Sequence, residues 1–295
     1  MTSTVNFSDA KNVCNTLKKA TKVLQDHPCK MGCTHHLPSQ GKVLVTGDLH
    51  DNPVHFLKVI KMANLDVPTN HVVLQELIHS SGGGSSVDLS YRMLVRVALS
   101  VCTYPGQVHP ILANHELSQA TGREITKGGG ELVERFSRGV SHVFGTKSAA
   151  VFTALHNFIM AMPLAVRSST GLMCLHSLPN TLMMDDFDKD ILARELVPKD
   201  LCGEKGSAYL IVWGRQHTEE QVNELAEYWG VKLFCVGHAW VPDGINMAYK
   251  NLLQLNSDHN NGTVVSISLD SISNAGKTMQ QAIKLNTIPL PVNEL

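Results

Sequence analysis

The sequence predicts an α/β protein in which two β-sheets pack face to face with helices outside them. Three observations predict this. From Gly41 onward, short apolar strands alternate with helical segments; the C-terminal part is rich in strands; and nearly every polar residue of chemical interest follows an apolar strand directly. Alternation between the two hydrophobic periods implies layers of sheet and helix. In layered folds of this kind the chemistry collects where strands end.

Residues 1 to about 40 read as an N-terminal helical extension, and residues 41–295 as the main domain. NVCNTLKKATKVLQ has apolar residues at helical spacing, and HPCKMGCTHHLPSQ breaks it. KVLVTGD is a Val-rich run and predicts a buried strand. NPVHFLKVIKMANL, with Phe56, Leu57, Ile60 and Met62, predicts a helix. HVVLQEL is the next strand, SSGGGSS a flexible loop, VDLSYRMLVRVALSVC a helix and VHPILAN the third strand. KGGGE reads as a helix start. GELVERFSRGVSHVF and SAAVFTALHNFIMAM are helical, and PLAVRSS with GLMCLHS makes a hairpin around Thr170-Gly171. YLIVW as a strand, EEQVNELAEYWG as a helix and KLFCVGH as a strand continue the alternation. MAYKNLLQLNS and TVVSISL close it, joined by DHNNG, a turn in which positive φ is expected. The tail from Ser273 reads as peripheral.

Composition narrows the class. Of the 295 residues, 43% are hydrophobic and 17% charged, as in an ordinary globular chain. A net charge of −1 argues against nucleic acid or an anionic membrane as partner. A phosphate ligand would have to be held by local charge, which metal ions supply. The N-terminus lacks the apolar core of a signal peptide, and no apolar run reaches the roughly 20 residues of a membrane span. The seven cysteines, an odd number at irregular spacing, read as reduced thiols and predict a cytoplasmic protein.

The strand ends carry the functional signal. KVLVTGDLH delivers Asp48 and His50, PILANHE delivers Asn114, His115 and Glu116, LMCLHS delivers His176, and LFCVGH delivers His238. HVVLQELIH adds Glu76 and His79, and LLQLNSDHN adds Asp258 and His259. One histidine after a strand is ordinarily a satisfied surface or core residue. The same ending on four or more strands is not required by hydrophobic patterning. Mixed oxygen and imidazole donors suit a pair of divalent ions.

GDLHDN, ANHE, CLHS and VGHAWVPDG, in that order over about residues 41 to 269, resemble the motifs of the calcineurin-like metallophosphoesterases. Within that superfamily the chain looks closest to bacterial relatives of the Ser/Thr phosphoprotein phosphatases. The resemblance implies a β-sandwich flanked by helices on both sides, a four-layer αββα arrangement, with residues 41–295 as the catalytic domain. It implies a dinuclear phosphoesterase, a phosphomonoesterase of phosphoprotein-phosphatase type, with two divalent ions (Mn, Fe or Zn) and a phosphorylated protein or small phosphate ester as substrate. Asp48 and His50 would bind the first metal, completed by His238 or a neighbouring histidine, and Asn114 and His176 the second. His115 would be the general acid and Glu116 would orient it. Where the family has GDxxDRG this chain reads QELIHSS: the bridging Asp becomes Glu76, the second Asp becomes His79, and the phosphate-binding Arg becomes Ser80. Another cation must then grip phosphate, and Arg123 and Arg215 are the candidates, since a guanidinium offers phosphate a bidentate fork.

The chemistry needs these groups. Two metals roughly 3.5–4 Å apart neutralise phosphate oxygens and lower the pKa of a bridging water, while a nearby imidazole protonates the leaving oxygen. Two other readings of function stand beside it: a pseudo-phosphatase that binds or scaffolds, which the altered QELIHSS motif favours, and a nucleotide phosphodiesterase. CKMGCTHH has some features of a zinc site, but no second ligand pair stands at a finger distance, so a polar turn is expected there.

Overall fold

A computed structural model describes residues 5–79, 87–123, 126–127, 130–203 and 205–290. The SSGGGSS loop, with Ser80, lies outside the described residues. The chain begins with α1 (Ala10–Gln25), capped by the Asp9 side chain, and two short strands, β1 (Lys30–Met31) and β2 (Thr34–Leu37). Then come β3 (Lys42–Asp48), α2 (Pro53–Ala63), β4 (Asn70–Gln75), α3 (Tyr91–Thr103), β5 (Val108–Pro110) and α4 (Asn114–Thr121). A small hairpin, β6 (Thr126–Lys127) and β7 (Gly130–Glu131), precedes α5 (Leu132–Phe144) and α6 (Ser148–Met160). The second half holds β8 (Ala165–Ser168), β9 (Leu172–Leu175), α7 (Pro198–Leu201), α8 (Ser207–Trp213), α9 (Glu219–Trp229), β10 (Leu233–Val236), β11 (Ile245–Tyr249), β12 (Leu252–Leu255), β13 (Thr263–Ser268), α10 (Ala275–Met279) and β14 (Ala282–Lys284).

Two mixed sheets result. One runs β1-β2-β8-β9-β10-β12-β11 and the other β14-β13-β3-β4-β5. Period-2 alternation decides which side chains face which layer. Val43, Val45 and Val73 from one sheet meet Leu172, Cys174, Leu233 and Cys235 from the other in a core between the sheets. Their neighbours Leu44, Val72, Leu74, Met173, Phe234 and Val236 join the core formed with the helices. The two-sheet α/β architecture is the one expected. The sheets draw together at one point, a bridge between Asp48 at the end of β3 and Asn256 after β12.

Several elements differ from expectation. CKMGCTHH is β1 and β2 rather than a polar turn. It can be a strand because β2 pairs with β8 and Thr34 Oγ1 donates to the Leu192 carbonyl at 2.8 Å. α1 is amphipathic, and Val13, Leu17, Ala20 and Leu24 are buried in the helical core. YLIVW is helix α8, not a strand. A run of five apolar residues has no readable period, and Leu210, Ile211 and Val212 are all buried. KGGGE does not open a helix; it contributes to the β6–β7 hairpin, and α5 starts after it. DHNNG carries no positive φ, because β12 and β13 belong to different sheets and the segment crosses between layers instead of closing a hairpin. The tail adds α10 and an edge strand, β14, beside β13.

Candidate metal centre

Where the two sheets meet, the strand ends turn sharply. Among the described residues six non-glycine residues have positive φ. Five of them, His50 (41°), Asp51 (53°), Glu76 (42°), His79 (63°) and His238 (64°), surround this point, and the sixth, Asn64, caps α2. Each such conformation costs about 1–3 kcal/mol and persists only where the surroundings over-determine it. Here they do. His50 N donates to the Glu76 carbonyl at 2.9 Å, and Asp51 N to the Leu77 carbonyl at 2.9 Å. His79 N donates to Ser90 Oγ at 3.1 Å, and His238 N to Asp48 Oδ1 at 2.9 Å. Glu116, expected to orient His115, accepts from Leu77 N at 2.8 Å and Ile78 N at 3.1 Å, and so clamps the turn that carries Glu76.

The side chains converge. His50 Nε2 lies 3.5 Å from Glu76 Oε2, and His115 Nε2 lies 3.3 Å from Glu76 Oε1. His176 Nδ1 is 3.8 Å from Asp48 Oδ1, and its Nε2 is 3.7 Å from Glu76 Oε2. Asn114 Oδ1 is 2.7 Å from His176 Nε2. Two groups able to hold an ion emerge, His50–Glu76–His115 and Glu76–His176–His238, each with its donor atoms within 4.8 Å of one another. Glu76 belongs to both.

Burial dominates the electrostatics of the cluster. Burial, above all, raises the Asp48 pKa to about 6, partly offset by a hydrogen bond with Glu76 and by the His238 N–H. Glu116 is pushed up to about 7, again chiefly by burial. Burial and then Arg215 push His238 down to about 3, and burial followed by His238 holds His176 well below the ordinary imidazole range. His176 and His238 are thereby held neutral, the form that ligates a metal. His176 Nδ1 and His238 Nε2 are buried without a hydrogen-bond partner. Buried carboxylates beside unpartnered imidazole nitrogens fit a metal pair.

A cavity of about 420 Å³ opens over the cluster. Asp48, His50, Glu76, Asn114, His115 and His238 line its floor, with Trp213, Arg215, Trp240, Asn256 and Asp258 around them; His176 is fully buried behind. The structure thus brings together all six expected ligands, His115 and Arg215. Arg215 Nη1 donates to the His238 carbonyl at 2.6 Å. Arg123 stacks over the Tyr209 ring at 4.5 Å and is not among the lining residues. His259 Nε2 bonds the Val241 carbonyl at 2.9 Å and anchors a turn. His79 pairs through Nδ1 with Asp88 at 2.8 Å.

Sequence reasoning missed Trp213, Trp240, Asn256 and Asp88. Asn256 follows the LLQL strand directly and carries the same strand-end signal as the others. Trp213 was hidden inside YLIVW, and nothing local marks Trp240 or Asp88.

Gly237 shows how tightly the centre is built. A Cβ there would press into Asp48 Oδ1 and stand 3.0 Å from Gln75 Oε1. Gly237→Ala is expected to displace the Asp48 carboxylate and weaken metal affinity about 10–100-fold, the usual cost of disturbing a ligand's support. Titration of the apo-protein with metal measures this, and unchanged affinity would refute it.

No family model and no curated protein matches the sequence. The fold does have counterparts. A protein serine/threonine phosphatase from Saccharomyces cerevisiae, with similarity to human phosphatase PP5, superposes with a TM-score of 0.64 at 13% identity, over 88% of this chain and 83% of that one. A cold-active protein-tyrosine phosphatase from a psychrophilic Shewanella gives 0.59 at 13% identity, over 84% and 80%. This is the fold that the resemblance to calcineurin-like metallophosphoesterases implied.

Proposed function

We propose that this protein is a dinuclear metal-dependent phosphoesterase acting on phosphate monoesters. The observation that carries the reading is Glu76, a buried carboxylate common to two groups of potential ligands. Asp48, His50, Glu76, Asn114, His176 and His238 hold the two ions, of the Mn, Fe or Zn class that mixed oxygen and imidazole donors suit. When bound, the ions offset the charge of the phosphate oxygens and activate water at neutral pH. The fold shared with two phosphatases supports the reaction class.

The chain's own residues do the rest. Arg215 stands at the cavity and supplies the fixed positive charge that Ser80 cannot. Its bond to the His238 carbonyl holds the guanidinium in place. Arg123 acts at one remove, through Tyr209, which stacks on Trp213 at 5.6 Å. His115 faces the cavity and protonates the leaving oxygen, and Glu116 keeps the Glu76 turn in shape. Trp213 and Trp240 add aromatic surface to the cavity lining.

The test is turnover of phosphopeptides, an aryl phosphate and nucleotide mono- and diesters by Mn-loaded protein. Monoester hydrolysis that chelation abolishes and Mn restores is the expected result. Full metal content without turnover of any ester would favour a scaffold, and preference for diesters a phosphodiesterase.

A further inference from the structure

The group expected to orient His115 is committed elsewhere, because Glu116 Oε1 accepts from Leu77 N and Ile78 N. A different pair stands behind His115. Its Nε2 is the atom beside Glu76 Oε1, at 3.3 Å, and its Nδ1, on the other edge of the ring, is buried. The His79 ring lies 5.2 Å from the His115 ring, tilted by 57°. His79 is itself fully buried, and its Nδ1 is 2.8 Å from Asp88 Oδ2. A carboxylate only accepts, so the proton of a neutral His79 sits on Nδ1 and Nε2 is a lone pair. Among the described residues that Nε2 has no hydrogen-bond partner.

The pair is rigidly held. Asp88 Oδ1 accepts from Ser90 N at 2.7 Å, Asp88 N donates to the Arg135 carbonyl at 3.0 Å, and His79 N donates to Ser90 Oγ at 3.1 Å. Phe136 of α5 meets the His79 ring edge-on at 5.7 Å, and Gly139 of the same helix leaves no room for a Cβ beside the Asp88 carbonyl. Burial pushes the Asp88 carboxyl up, but the bond and charge of His79 and the Ser90 bonds outweigh it and hold the group below the ordinary carboxylate range. The separation from His115 is within bonding reach. His71 and His109, in a cluster of buried histidines with His27 and His35, have ring centres 5.4 Å apart and nitrogens at 3.1 Å. His35 and His109, tilted by 74° with centres 5.6 Å apart, still bring nitrogens to 3.3 Å.

We propose that His79 and Asp88 are the positioning residues of the general acid: His79 Nε2 accepts the Nδ1–H of His115 during proton transfer, and Asp88 fixes His79 in the tautomer that can accept. The inference rests on the role given to His115 above. An imidazole that protonates a leaving oxygen through Nε2 also carries a proton on Nδ1, and a buried N–H needs an acceptor. The proton on Nε2 passes to the leaving oxygen, the Nδ1–H stays where it is, and His79 keeps its own proton towards Asp88. Such a carboxylate orients an imidazole and sets its tautomer without being protonated itself. Hydrogen bonds of this kind are often long or misaligned without substrate and tighten in the transition state.

The experiment compares the full-length, Mn-loaded wild type with Asp88→Asn, His79→Phe and His79→Gln on two monoesters, an alkyl phosphate with a poor leaving group and p-nitrophenyl phosphate with a good one. In Asp88→Asn, Ser90 N keeps the amide oxygen, so the amide nitrogen faces His79 Nδ1 and drives the His79 proton to Nε2, the wrong tautomer. Asp88→Asn and His79→Phe should each lower kcat on the alkyl ester about 10–100-fold, part of the 10²–10⁴-fold of a general acid. KM, manganese content and kcat on the p-nitrophenyl ester should stay near wild type. His79→Gln, whose amide oxygen reaches the place of Nε2, should recover most of the alkyl-ester rate. An unchanged kcat on the alkyl ester, or equal losses on both esters, overturns the proposal while leaving the phosphoesterase reading intact. A wild type that turns over neither ester overturns both. Should His79→Phe fail to fold, the near-isosteric Asp88→Asn decides alone.

Discussion

Glu76→Gln is expected to lower turnover by at least about 100-fold and to reduce metal content, because a ligand shared between two ions matters more than an outer partner worth 10–100-fold. The amide keeps the shape of the side chain and can still bond to Asp48, so packing is preserved. What disappears is negative charge. Glu76 is nearly inaccessible and sits within 3.7 Å of His50, His115 and His176. With an amide there, two cations would be offset by Asp48 alone among the six ligands. Glu76→Asp restores the charge on a shorter arm and should keep activity and metal. Metal analysis and steady-state kinetics on the three proteins check this. A Glu76→Gln variant with the wild-type metal content and rate would remove the basis for the dinuclear reading.

His115→Ala should leave both ions in place and cost about 10²–10⁴-fold in turnover, the scale of a lost general acid. The geometry makes this a real choice between roles, because His115 Nε2 is 3.3 Å from Glu76 Oε1 and belongs to a possible ligand group with His50. A general acid faces the leaving oxygen, so the loss should be largest for substrates with poor leaving groups and small for an activated aryl phosphate. A ligand, by contrast, would take metal with it for every substrate. Loss of metal in His115→Ala would move His115 from proton donor to ligand.

Part of this site was legible because β-structure is local. A strand that ends in Asp-x-His or in Asn-His-Glu announces itself in a dozen residues, and KVLVTGDLH, PILANHE, LMCLHS and LFCVGH together named five of the six converging candidate ligands. Glu76 was found by its place after HVVLQ. Helix α4 was missed because eight residues with one large aliphatic side chain, Leu117, have no period to read. The arginines could be proposed as cations, but their separation into Arg215 beside the cavity and Arg123 over Tyr209 depends on how α8 packs, and α8 itself was misread from five apolar letters.

By itself the sequence determined the layered α/β class, the order of most strands and helices, and the residue types at the strand ends, since each follows from patterns within a few residues. Only the tertiary structure decided that Glu76 stands between two groups of potential ligands, that Glu116 braces the Glu76 turn, and that His27, His35, His71 and His109 share one buried cluster. Those facts depend on which strands become neighbours and on the positive-φ turns that aim their side chains. Residues 82 positions apart, such as His27 and His109, meet only when β2 and β5 are brought to the same edge of the sandwich, and no local pattern encodes that meeting.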